Sequence, residues 1–147
     1  MRLYRVLLTL LLAGLWQTPV EAEQSVASGD FAIHYSAFPT SSLQPEIAKS
    51  YNITRSNKRG MINIAVLKKV MGTTGQPVHA RVDAKVTNLH GQVSPITMRE
   101  LNEQGAVYYI GEFAIANEES LRFEIEVTPE GQAESIRAAF DQVFFVD

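Results

Sequence analysis

The sequence comprises 147 residues with no cysteine, 13 Lys and Arg against 16 Asp and Glu, and a formal net charge of −3. The missing thiols exclude a disulfide framework, a lipoprotein lipobox, a thiolate nucleophile and any thiolate metal site. An acidic balance without a sustained basic face interleaved with aromatics argues against nucleic acid as a partner.

At the N-terminus Arg2 and Arg5 form a positive region, Val6 to Trp16 an apolar stretch of eleven residues, and Val20-Glu21-Ala22 a small-x-small cleavage pattern. These are the three parts of a secretory signal peptide. Eleven residues fall short of the roughly 20 needed to span a bilayer. Residues 1–22 are therefore expected to be a signal removed near Ala22, with no transmembrane anchor left behind. Residues 23–147 are expected to form a single exported domain that is stable by its core alone, burying about two-thirds of its unfolded surface.

From Phe31 onward the apolar pattern has a period of two. Phe31 to Phe38 reads as a first strand. Gln44 to Tyr51 then reads as a short helix, because Pro45 suits a first helical turn and Glu46 suits the positive end of the helix dipole. Ile62, Ile64 and Val66 mark a second strand, so the helix crosses between the two. The clearest alternation follows: Ala80, Val82, Ala84 and Val86 against Arg81, Asp83, Lys85 and Thr87, a strand with one buried and one wet face. Further strands are predicted at Ile96 to Leu101 and Val107 to Ala116. Leu121, Phe123, Ile125 and Val127 alternate with Arg122, Glu124, Glu126 and Thr128 in the same way. The last strand, Ile136 to Val146, changes phase near Gln142, with Phe144 and Phe145 on both faces, which predicts a bulge or a paired edge. Gly, Pro, Asn and Ser clusters separate these runs. About seven strands at this spacing predict an all-β, immunoglobulin-like sandwich with one short crossover helix and no disulfide.

Charge is unevenly placed along the chain. Between Ile47 and Val82 there are seven basic residues and no acidic one, whereas Glu100 to Asp147 holds eleven acidic residues and only Arg122 and Arg137 as bases. Arg55, Lys58, Arg59, Lys68 and Lys69 flank the second strand and are the candidate binding residues, a basic surface for an anionic envelope component or an envelope protein. The competing reading is that basic and acidic strands are neighbours in one domain, where opposite charges pair across the sheet.

Motifs for chemistry are sparse, and neither a catalytic residue nor a cofactor is expected. Gly72-Thr73-Thr74-Gly75 lacks the Gly-Lys-Ser/Thr ending and following helix of a phosphate loop, so its glycines are expected to serve a turn. His34, His79 and His90, with Met61, Met71 and Met98, are the soft donors of a copper carrier, but no spacing places two together in advance. They remain the weak candidates for metal, in the alternative reading of a metal or small-ligand carrier. No G-x-S-x-G, no H-E-x-x-H and no cysteine supports hydrolysis. Glu118-Glu119 lies in a turn, where consecutive side chains point apart. Asn52-Ile53-Thr54 matches a glycosylation pattern that matters only in a eukaryotic secretory pathway.

"PEIAKSYNITRSNKRGMINIAVLKKVMGTTGQPVHARV", followed by "YYIGEF" and "NEESLRFEIEVTPEG", resembles the DUF4426 family of exported gammaproteobacterial proteins of uncharacterised function. The likeness runs from Gly29 to the final strand. It implies a periplasmic setting and a small β-sandwich, and it brings no catalytic residues. A weaker likeness, through "GQPVHARV" and "GAVYYIGEF", is to exported copper-associated sandwiches of the FixH and YtkA type, and bears on fold more than on function. The function these observations favour is a non-catalytic periplasmic interaction or accessory module.

Overall fold

The computed structural model describes residues 24–146, so the signal peptide expected at residues 1–22 lies outside the described residues. Among the described residues ten strands form two antiparallel sheets. In chain order they are β1 (Gln24–Ser28), β2 (Phe31–Pro39), β3 (Arg59–Lys68), β4 (Gln76–Pro77), β5 (Ala80–Thr87), β6 (Val93–Ile96), β7 (Arg99–Glu103), β8 (Ala106–Ala114), β9 (Glu119–Pro129) and β10 (Ile136–Phe144). A 3-10 turn, Thr40–Ser42, and helix α1, Pro45–Ser50, connect β2 to β3. The first sheet runs β1-β2-β3-β8-β7, with β4 beside the end of β3, and the second runs β10-β9-β5-β6.

The immunoglobulin-like sandwich predicted from strand spacing is the observed architecture, but with ten strands instead of seven. The run Ile96 to Leu101 is not one strand. It divides at Thr97-Met98, with β6 pairing β5 in one sheet and β7 pairing β8 in the other. Strand β1 has no apolar periodicity of its own. A two-residue turn brings it onto β2, with Gly29 at φ 55° in the first turn position, where a type II′ hairpin places glycine. Strand β4 is two residues laid against Leu67 and Lys68.

The expected bulge near Gln142 is absent: β10 pairs with β9 in unbroken register from Ile136↔Val127 to Phe144↔Glu119. Gln142 occupies an inward position, in step with the buried Ala138, Phe140 and Phe144. The apparent phase change reflects a polar residue facing inward, and Phe145, just past the strand, is exposed.

Between the sheets lies a core centred on Ile33, Tyr35, Ile62, Ile64, Val66, Phe123, Ile125 and Val127. Rings from both sheets interlock within it. Phe140 stacks on Tyr35 at 4.9 Å and on Phe123 at 4.8 Å, while Phe113 meets Phe123 edge-on at 4.9 Å. Such pairs each add about 1 kcal/mol beyond the area they bury.

The first sheet is covered on its outer face as well. Ala48 of α1 and Ile53 pack on Met61 and Ile110, with Phe38, Leu43, Tyr51 and Leu101 around them. Pro45 starts the helix where its missing N–H is no loss, and Lys49 sits in the last turn, where the dipole favours a cation. The crossover is fixed by Thr40, which is fully buried: its hydroxyl lies 3.0 Å from the Thr54 carbonyl and accepts the Ser56 N–H at 2.9 Å. Among the described residues the outer face of the second sheet has no such cover.

Candidate functional site

The side chains with the most distinctive chemistry converge where the chain crosses from the first sheet to the second. Val78 still bonds β3, through its N–H to the Val66 carbonyl, while the His79 carbonyl already accepts the Glu130 N–H at the end of β9. His79 is therefore the pivot of the crossing. Its Nδ1 lies 2.6 Å from Glu100 Oε1 on β7. Tyr109 is the cross-strand partner of Glu100 and donates its hydroxyl to the same oxygen at 2.8 Å. The Tyr109 oxygen in turn accepts the Ala80 N–H at 2.7 Å, and Asn102 donates to Glu100 Oε2 at 3.3 Å.

The electrostatics follow from this geometry. Glu100 accepts from three side chains, His79 first and Tyr109 next, which holds its carboxyl below the ordinary carboxylate value. The same hydrogen bond and the carboxylate's charge raise His79 above the ordinary imidazole value. Burial, opposed by the Ala80 N–H and reinforced by Glu100, pushes Tyr109 up to about 12. A carboxylate accepts and does not donate, so His79 carries its proton on Nδ1. The ring nitrogen left for an outside ligand or proton is Nε2, on a side chain 57% exposed. The arrangement thus offers one oriented imidazole, held by a carboxylate that is itself held by a tyrosine.

On the other face of β7, the Tyr51 hydroxyl donates to Glu103 and Arg99 donates to the Tyr51 carbonyl. The bond to Glu103, with some burial, pushes Tyr51 up to about 12. This second cluster fastens the end of the helical crossover to the sheet edge.

The five basic candidates do not form one surface. Arg55, Lys58 and Arg59 precede or begin β3, Lys68 ends it and Lys69 follows. A ten-residue strand separates the two groups, which at 3.3 Å per residue is about 30 Å. Arg55 donates to the Ser41 carbonyl at 2.9 Å, securing the 3-10 turn. Arg59 Nε lies 3.8 Å from Glu112 of β8. The Lys69 ammonium donates to the Gly29 carbonyl at 2.9 Å, tying down the β1–β2 turn. Lys58 and Lys68 are exposed. Part of the basic segment therefore meets groups of its own domain.

The histidines are also apart. His34 is on β2, His79 at the sheet crossing, and His90 in the β5–β6 turn. Met61 is buried under α1, Met71 is fully exposed and Met98 packs beside Gly111. Among the described residues no group of three or more His, Asp or Glu is placed to hold a metal ion. The Gly72 to Gly75 segment is a turn, with Gly72 at φ 77° and Gly75 at φ 113°.

Glu100 and Tyr109 were not legible as site residues. Their one sequence signal is that Glu100, in step with inward positions of its neighbours, is a charge at the rim of a core and so requires partners.

The fold and this cluster define a small two-sheet antiparallel sandwich with a latched sheet crossing. The chain belongs to the DUF4426 family, a domain of unknown function, which matches residues 25–147. It is similar to a DUF4426 family protein of Pseudomonas aeruginosa, seen in a crystal structure: 34% identity, TM-score 0.73, covering 85% of this chain and 96% of that one. It shares its fold with FetP of uropathogenic Escherichia coli, recombinantly expressed in the periplasm: 7% identity, TM-score 0.59, covering 86% and 95%. A copper-bound variant of FetP aligns with TM-score 0.58 at 7% identity, covering 86% and 97%. No curated protein matches the sequence.

Proposed function

We propose that this chain is a non-catalytic recognition domain exported to the periplasm, and that it works through the open outer face of its second sheet. The observation that carries this reading is the asymmetry between the two sheets. The first has its outer face closed by α1 and its own apolar cluster, while the second presents a concave surface lined by Asp83, Lys85, Pro95, Glu124, Glu126 and Arg137, among others. Opposite charges alternate across it, Lys85 lying 3.5 Å from Glu124 and Arg137 3.5 Å from Glu126. Such a surface suits a protein partner of complementary charge, where electrostatics set specificity and encounter rate. Among the described residues no helix is long and apolar enough to cross a membrane. The N-terminal signal pattern and the likeness to a periplasmically expressed sandwich support the periplasmic setting.

Cross-linking in envelope extract tests this with two variants, Lys85→Glu with Arg137→Glu, and Arg55, Lys58 and Arg59 together changed to Ala. Loss of a partner with the first variant alone is the expected result. Loss with the second alone would move recognition to the basic end of β3, and loss with neither would overturn the reading.

A second reading is favoured by the His79 geometry: a metal acceptor, as the fold shared with a copper-bound FetP variant suggests. Metal-bound histidines commonly donate their other N–H to a carboxylate, as His79 does to Glu100. The described residues do not assemble a closed donor set, so binding would rest on Nε2 with outside ligands. Calorimetry with Cu(I), Cu(II) and Zn(II) decides it. A Kd tighter than about 10 μM, roughly −7 kcal/mol, that His79→Ala abolishes would support the reading, and weaker binding would remove it.

A further inference from the structure

The two strand orders end in four edge strands among the described residues, and three are blunted. Strands β1 and β7 are five residues long, and β6 is four residues long and contains Pro95. Short strands, proline and charge are the usual protections against pairing with another chain. The fourth edge, β10, is nine residues long, free of proline and in unbroken register with β9 on its inner side. Its open side carries a row of backbone groups available to another strand.

We propose that β10 pairs antiparallel with β10 of a second copy of this chain, joining the two four-stranded sheets into one of eight strands about a two-fold axis at Ala139. The side chains carry the argument. On the solvent face β10 presents Arg137, Ala139 and Asp141 in sequence, all exposed. A charge of one sign at both places would repel a second copy. Opposite signs four residues apart are self-complementary in an antiparallel pair centred between them, since Arg137 then lies opposite Asp141 of the second copy, twice over. The small Ala139 meets its own equivalent on the axis and obstructs nothing. Registers centred on Ala138 or Phe140 bring no such match.

Charge order continues through the joint. Within one copy Arg137 lies 3.5 Å from Glu126, and Arg122 lies 3.2 Å from Asp141. Across the axis the row reads Glu126, Arg137, then Asp141 and Arg122 of the second copy, alternating without interruption. The contact is isologous and closes at two subunits. Two nine-residue strands make a small interface, so the association is weak and concentration-dependent.

Sedimentation velocity on the purified chain, up to about 1 mM, should show a reversible monomer–dimer equilibrium. Arg137→Asp should weaken it at least tenfold. Arg137→Asp combined with Asp141→Arg restores the match across the axis and should regain most of that loss, because the intrachain pairs it disturbs are exposed and contribute little. Circular dichroism and melting confirm that each variant folds. The cysteine-free chain also permits a direct test of the axis: Ala139→Cys should oxidise readily to a covalent dimer, whereas Asp83→Cys, exposed on the same face, should not. A chain that stays monomeric throughout, a dimer indifferent to Arg137→Asp, a double variant no better than the single one, or equal cross-linking at Ala139 and Asp83 would each overturn the proposal.

Discussion

Gln142 of β10 donates its Nε2 hydrogen to the carbonyl of Ala37 on β2 at 2.7 Å, across 105 residues of sequence. Among the described residues strand β1 flanks β2 as far as Gln24↔Tyr35, and Ala37 lies past that pair. The side chain of one sheet thus completes the edge of the other. Replacing Gln142 with Leu keeps the volume but leaves a partly buried carbonyl without a donor, which costs about 1–3 kcal/mol. Urea unfolding should show this as a lower midpoint with an unchanged slope. A Gln142→Leu chain as stable as the wild type would mean that water replaces the amide there.

The same residue shows where sequence reading stops. Ala80 to Thr87 is legible as a strand because burial on one face and solvent on the other impose a period of two on neighbouring residues. Gln142 breaks such a pattern only because its partner is Ala37, which no local window contains. Strand β1 escapes notice because its residues earn their place through β2, and the division at Thr97-Met98 because no local pattern tells which sheet each half of the run joins. Of the candidate site, His79 stood out by residue type, whereas Glu100 and Tyr109 acquire meaning only once β7 and β8 are paired beside the crossing.

The His79–Glu100 pair makes stability depend on pH. His79 is raised from its ordinary 6.5, so its contribution is complete below that value and is lost as pH climbs through the higher folded value. Glu100 is lowered from 4.5, so its contribution is complete above that value and is lost as pH falls through the lower folded value. The pair therefore stabilises most between about 4.5 and 6.5. Melting temperatures of wild type and His79→Gln, compared from pH 5 to pH 9, should differ most near pH 5.5 and converge above the folded value of His79. A constant difference across that range would show that His79 acts by packing.

Tyr109 supports the crossing through its hydroxyl. Tyr109→Phe keeps the ring in the core but leaves the Ala80 N–H without its 2.7 Å acceptor and deprives Glu100 of a donor. The expected loss is about 1–3 kcal/mol. Hydrogen exchange at Ala80 should quicken in this variant more than at Val86, in the middle of β5. Equal acceleration at both positions would point to a global loss of stability.

Phe144 and Phe145 are neighbours with opposite surroundings, 1% and 73% exposed. Phe144 meets Phe113 edge-on at 5.6 Å and Phe123 at 6.1 Å. Phe144→Ala should cost about 3–5 kcal/mol, and Phe145→Ala no more than about 0.5 kcal/mol. Chemical denaturation of the two single variants separates them, and comparable losses would contradict the inward placement of β10.

Gly60 is required by a neighbour. At the start of β3 a Cβ would lie 2.4 Å from Phe113 Cε2 and 2.5 Å from Cζ, and the ring cannot retreat because it packs against Phe123 and Phe144. Gly60→Ala should therefore destabilise by about 1–3 kcal/mol through overpacking. Phe113→Leu alone creates a void and also destabilises, yet it makes room for the methyl group. The double variant should be more stable than the sum of the single losses, with a coupling of about 0.5–3 kcal/mol. Simple additivity would show that the cost at Gly60 comes from the backbone and owes nothing to the ring.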